Sequence, residues 1–128
     1  MNGLISSLSP YSATETIHRI TDRLAKANIT LFATIDHAAG AAQAGLTLRP
    51  TCLLIFGDPK AGTSLMQDRQ TAGIDLPLKI LVWEDEQAKV WITYNDLEWI
   101  KKRHQLSDAT EARIHALGVG LQKLTDGL

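Results

Sequence analysis

The chain has 128 residues, which supports one domain with a single core and leaves no room for two independent ones. Thirteen Lys plus Arg against fourteen Asp plus Glu give a formal charge of −1 with no run of like charge, which argues against a dedicated nucleic-acid binder. Apolar residues make up 45% and charged residues 21%, the balance of a globular fold rather than a disordered chain.

Residues 3–8 read as a short opening strand. After the turn-forming Pro10, Ser12 and Glu15 stand at the spacing of a capping box and predict a helix start. Ile17, Ile20, Leu24 and Ala27 line one face of that helix, Glu15 with Arg19 and Asp22 with Lys26 form i,i+4 pairs, and the helix is expected to end near Asn28. From Ile29 the period becomes two. Ile29, Leu31, Ala33, Ile35 and His37 are expected on one face of a strand, with Thr30, Phe32, Thr34 and Asp36 on the other. The stretch AAGAAQAG reads either as a short helical turn or as a loop, stopping at Gly45.

Residues 51–56, TCLLIF, form a continuous apolar run that predicts a strand covered on both faces in the middle of the sheet. Asp58 followed by Pro59 is a favourable helix entry, and a helix is expected through about Arg69. Leu78, Ile80 and Val82 alternate with Leu81 and Trp83, Asp85 to Ala88 can turn the chain, and KVWITYN alternates again, so an antiparallel hairpin is predicted. Asp96 can cap a short helix bearing Leu97 and Ile100. Asp108 and Glu111 can open a last helix along Ile114, Leu117, Leu121 and Leu124. Gly118 and Gly120 each cost about 1 kcal/mol inside a helix, so close packing against another backbone is expected there. Five strands with four or five helices predict an α+β, layered single domain over residues 1–128.

The blocks RPTCLLIFGDPKAGTSLMQ (49–67), AGIDLPLKILVWED (72–85) and VWITYND (90–96) closely resemble domain-of-unknown-function family 302, and IDHAAGA (35–41) is similar to that family's histidine-bearing segment. The resemblance implies a compact domain with a mixed, mostly antiparallel sheet packed against helices, and a bacterial or archaeal homodimer. It implies no established activity, so no catalytic residue carries over.

Among candidate sites, the segment from Gly57 to Ser64 has two glycines before a helix but fails as a phosphate loop. Thr63 stands where lysine is needed, Asp58 adds a negative charge, and Pro59 removes a donor. Lys60, Thr63 and Ser64 with free helix-start N–H groups remain a candidate cradle for a small anion, beside an ordinary capped helix start. Asp36 and His37, adjacent in a strand, point apart and cannot pair with each other. His37 can serve as a general acid or base with Asp58 or Asp75 as orienter, or with His104 as a ligand for haem or another metal, or can be a satisfied strand-end histidine. Lys79 lies inside an apolar strand and must reach water, pair or neutralise, so it reads as an edge lysine or as a ligand anchor.

The lone Cys52 excludes an intrachain disulfide and cysteine-based zinc binding, and its apolar run favours an inert buried thiol. His18, His104 and His115 sit among polar helical neighbours and are expected at the surface. Trp83, Trp91 and Trp99 can fill the core or line an interface patch. No apolar stretch reaches the roughly 18 residues of a membrane span, and the opening MNGLISSLSP lacks signal-peptide character, so a cytoplasmic location without a membrane partner is expected. The leading expectation is a homodimeric module that binds a small anionic or aromatic ligand near His37, Lys60 and Lys79. Its cofactor is unknown and no metal is expected; the rivals are a small enzyme built on His37 and a haem or metal protein.

Overall fold

The computed structural model describes residues 2–128. Ser12 caps helix α1 (Ala13–Lys26), its side chain accepting from the Glu15 backbone N–H at 3.1 Å. The helix buries Ile20 and Leu24, the inner pair of the predicted stripe, and leaves Ala27 exposed. Strands β1 (Leu4–Ser9), β2 (Thr30–Asp36), β3 (Thr51–Gly57), β4 (Leu78–Glu84) and β5 (Val90–Asn95) form one sheet in the order β1-β5-β4-β3-β2. Every pairing is antiparallel. The architecture is α+β, with helices α2 (His37–Gln43), α3 (Pro59–Asp68), α4 (Leu97–His104) and α5 (Glu111–Thr125) completing the domain.

Two strand expectations need correction. The middle strand is β4, not the apolar run of β3, and β3 is buried on one face only. Cys52, Leu54 and Phe56 are buried, while Thr51, Leu53 and Ile55 between them remain partly open. An apolar run alone cannot say which of its faces a helix covers. The two-residue period of β2 also fails at Phe32. Leu31 pairs with Phe56 and Ala33 with Ile55, so Phe32 is an extra residue in a β-bulge. Leu31 therefore lies opposite Phe56 on the helix-covered face, whereas Ala33 and Ile35 lie opposite Ile55 and Leu53 on the open one. His37 is not in the strand at all: Asp36 caps α2, its carboxylate accepting from Ala39 N–H at 2.9 Å, and His37 is the first helical residue.

The core gathers on one face of the sheet, where Ile20 of α1, Leu65 of α3, Ile100 of α4 and Ile114 and Leu121 of α5 meet Leu54, Phe56, Ile80, Val82 and Ile92. The opposite face carries Leu4, Leu8 and Ile35 exposed, with the stacked pair Trp83 and Trp91, ring centroids 6.1 Å apart, half-buried among them. Trp99 lies elsewhere, in α4 against Gly3 and Arg103, so the three tryptophans form no common patch. A side chain at Gly3 would stand 2.4 Å from the Trp99 ring, which makes glycine obligatory at that crossing.

Candidate functional site

The strand β3 leaves the sheet through Gly57 and enters α3 at once, because Asp58 caps the helix and Pro59 occupies its first turn. Across from α3 runs α5, and between them opens a cavity of about 530 Å³. Its walls are mainly apolar: Phe32 and Phe56 from the sheet, Met66 from α3, Leu76 from the segment entering β4, Leu117 and Leu121 from α5. The bulge brings Phe32 here, 48% exposed, with its ring 3.7 Å from where a side chain at Gly57 would begin. Gly120 lines the same cavity.

The close packing expected at Gly118 and Gly120 is absent. A Cβ built at either position meets nothing within 4 Å. At Gly120 the missing side chain leaves open volume rather than letting a second backbone approach. On α5 the lining residues Arg113, Leu117, Gly120, Leu121 and Leu124 follow helical spacing, which places them on one face. The apolar half of that stripe is visible in the sequence. Arg113 and the volume beside Gly120 carry no signal of their own.

The anticipated site residues are scattered. The Asp58 carboxylate accepts from Lys60 N–H at 3.0 Å as a helix cap. The Thr63 hydroxyl donates to Pro59 O at 2.6 Å and that of Ser64 to Ala61 O at 2.9 Å, so both are turned onto their own helix. Asp58 and Thr63 nevertheless stand on the cavity rim. Lys79 lies opposite Ile55 on the other face of the sheet and donates to Pro77 O at 2.9 Å. Burial pushes its ammonium below the ordinary lysine range, and the Asp75 charge acts in the opposite direction. His37 is exposed at the start of α2. Burial, with a smaller contribution from the Asp36 charge, pushes the Cys52 thiol up.

Asp75 and His104 form a cluster that sequence spacing concealed. Asp75 ends the 3-10 turn Gln70–Asp75, and its Oδ2 lies 2.5 Å from His104 Nε2. The other ring nitrogen, Nδ1, is 3.2 Å from Thr71 Oγ1, and Arg103 Nη1 donates to the Asp75 carboxylate at 3.1 Å. The histidine side chain is only 6% exposed, contrary to the surface position expected of it. Its polar helical neighbours gave no hint that a turn 29 residues earlier would fold over it. Both ring nitrogens are engaged, so neither is free to ligate iron. Among the described residues no three His, Cys, Asp or Glu side chains are grouped so as to hold a metal ion together.

Comparison with known proteins places the chain in a family. The chain is 44% identical over 124 residues to the protein of Brucella suis biovar 1 (strain 1330) named Fluoride-specific ion channel FluC 1, covering 97% of this chain and 49% of that protein. It is equally similar to the Brucella melitensis biotype 1 protein named Fluoride-specific ion channel FluC 2, of which 46% is covered. This chain thus spans about half the length of these curated relatives, and none of its described helices is long and apolar enough to cross a membrane. Its fold is that of an uncharacterized conserved protein DUF302 from Bacillus stearothermophilus, with a TM-score of 0.85, 15% identity and 98% of each chain covered. The model of the family described as Domain of unknown function DUF302 matches residues 5–119, nearly the whole of the domain built around this cavity, and the chain belongs to that family.

Proposed function

We propose that the protein is an accessory module that binds a small, largely apolar ligand between α3 and α5. The supporting observation is the cavity of about 530 Å³, within the roughly 300–1,000 Å³ typical of small-molecule sites, walled by Phe32, Phe56, Leu117 and Leu121. Binding there removes apolar surface of both partners from water. The test is a titration with 1-anilinonaphthalene-8-sulfonate, whose fluorescence rises in apolar surroundings. Saturable one-site binding to the natural protein, lost in a folded Gly120→Leu variant whose side chain fills the cavity, supports the reading. Equal binding by both proteins, or by neither, contradicts it.

A second reading is favoured by the Brucella proteins. In them the region similar to this chain makes up about half the length, and that region here has no membrane-crossing helix among the described residues. We propose that such a domain serves a fluoride channel as a ligand-responsive accessory and that the present chain has the same role, from the cytoplasm. Deleting the matching half of the Brucella suis protein tests it. Fluoride efflux that persists but no longer responds to a cavity ligand agrees; efflux with an unchanged response disagrees.

The exposed sheet face bearing Leu4, Leu8 and Ile35 supports a homodimer joined through that face. Sedimentation velocity of a Leu8→Glu variant should then show a monomer where the natural protein sediments as a dimer.

A further inference from the structure

We infer that the ligand of the α3–α5 cavity carries one anionic group, held by Arg113, on an apolar body; the inference rests on the cavity being a ligand site. Polar character on the lining is confined to a few side chains. Among these, Thr63 donates its hydroxyl to Pro59 O at 2.6 Å, and Asp58 is committed to capping α3. Arg113 is different. It is exposed and takes part in none of the ion pairs among the described residues.

Arg113 lines the cavity and also an adjoining surface groove with Ser64, Gln67 and Asp68, which puts it beside the later part of α3. The carboxylate in that groove is already engaged, since Asp68 accepts from Ser107 N–H at 2.8 Å and from the Ser107 hydroxyl at 2.7 Å. Asp58, the carboxylate on the cavity lining, caps the opposite end of the helix, roughly 9–15 Å away at 1.5 Å per residue. Neither acid forms an ion pair with Arg113. A guanidinium has five N–H donors and no acceptor, and it matches the two oxygens of a carboxylate in plane.

The stripe on α5 then supplies the rest of the recognition. Arg113 stands at its start, and Leu117, Leu121 and Leu124 follow at steps of four, four and three, with Gly120 beside them leaving volume for a chain or ring. A molecule with its charge at one end and hydrocarbon along its length meets each requirement in order. A neutral head group would forgo the opposite charge and the second, parallel hydrogen bond of a carboxylate, and a cationic one would face Arg113 with like charge.

Calorimetric titration with decanoate, 1-decanol and decyltrimethylammonium distinguishes these cases. Decanoate is expected to bind the natural protein about tenfold or more tighter than 1-decanol, with the cation weakest. Arg113→Gln should abolish the difference between decanoate and 1-decanol by weakening decanoate far more than 1-decanol, and Arg113→Lys should restore part of it. Equal affinity for acid and alcohol, or a preference that survives Arg113→Gln, overturns the anionic assignment while leaving the cavity as an apolar site. Failure of all three probes, together with absent dye binding, overturns the cavity reading itself.

Discussion

Asp75 Oδ2 lies 2.5 Å from His104 Nε2, joining the 3-10 turn before β4 to the last turn of α4. Arg103 and Thr71 complete the cluster from its exposed side, so both ring nitrogens and the carboxylate have partners, while the His104 and Asp75 side chains themselves are only 6% and 11% exposed. Asp75→Ala would leave Nε2 of a nearly buried imidazole without its partner. Urea unfolding should show it less stable by about 1–3 kcal/mol, whereas Arg103→Ala, which removes a half-exposed partner, should cost less than about 1 kcal/mol. Equal losses for the two variants would contradict the central place given to the histidine.

The glycines of α5 give a prediction of the opposite sign. A side chain at Gly118 meets nothing within 4 Å. Gly118→Ala should therefore raise stability by about 1 kcal/mol through helix propensity, read as a higher urea midpoint at unchanged slope. A destabilised variant would mean that another chain packs against this helix.

Asp68 sets an acid limit. The Ser107 backbone N–H, and next its hydroxyl, hold the Asp68 carboxyl below the usual aspartate range. The folded value lies below the unfolded one, so the stabilisation is complete above the unfolded value of about 3.9 and is lost as pH falls through the folded value. Asp68→Asn removes this titration. Stability measured from about pH 5 down to about pH 2 should then decline less steeply than in the natural protein. Parallel declines would contradict the assignment.

Cys52 should be chemically silent in the folded protein. It is 7% exposed, and burial followed by the Asp36 charge raises its thiol above the ordinary cysteine range. A thiol reagent near neutral pH should label it slowly in buffer and rapidly in denaturant, because the thiolate is the reacting form. Fast native labelling would require β3 to open.

Much of the fold was legible in local patterns. Ser12, Asp58 and Asp96 each cap the helix that follows, and the Asp85 turn joins the hairpin strands. These features depend on neighbours within a few residues, which spacing reports directly. Strand order does not, so the apolar run of β3 misled about the middle of the sheet. The bulge at Phe32 broke a period that looked regular, because an extra residue is set by the partner strand rather than by its own sequence.

The candidate site was less legible for the same reason. Asp58 and Thr63 lie on the cavity rim as a helix cap and a hydroxyl bonded to its own helix, and the volume depends on Gly120 and Leu117 facing them from the far end of the chain. Spacing allows Asp75 as a partner for His37, but the chain path brings it to His104. Gly118 and Gly120 conflict with helix propensity. Only the packing around them reveals open volume instead of a close backbone contact.

The central claim, that a ligand enters between α3 and α5, is tested most directly at Met66. Met66 lines the cavity, so methyl-¹³C labelling of methionine places a reporter inside it. Titration with decanoate should move the Met66 methyl resonance saturably, and Gly120→Leu should abolish the change. A Met66 resonance that stays still in the natural protein, or that moves equally in the filled variant, would contradict the account.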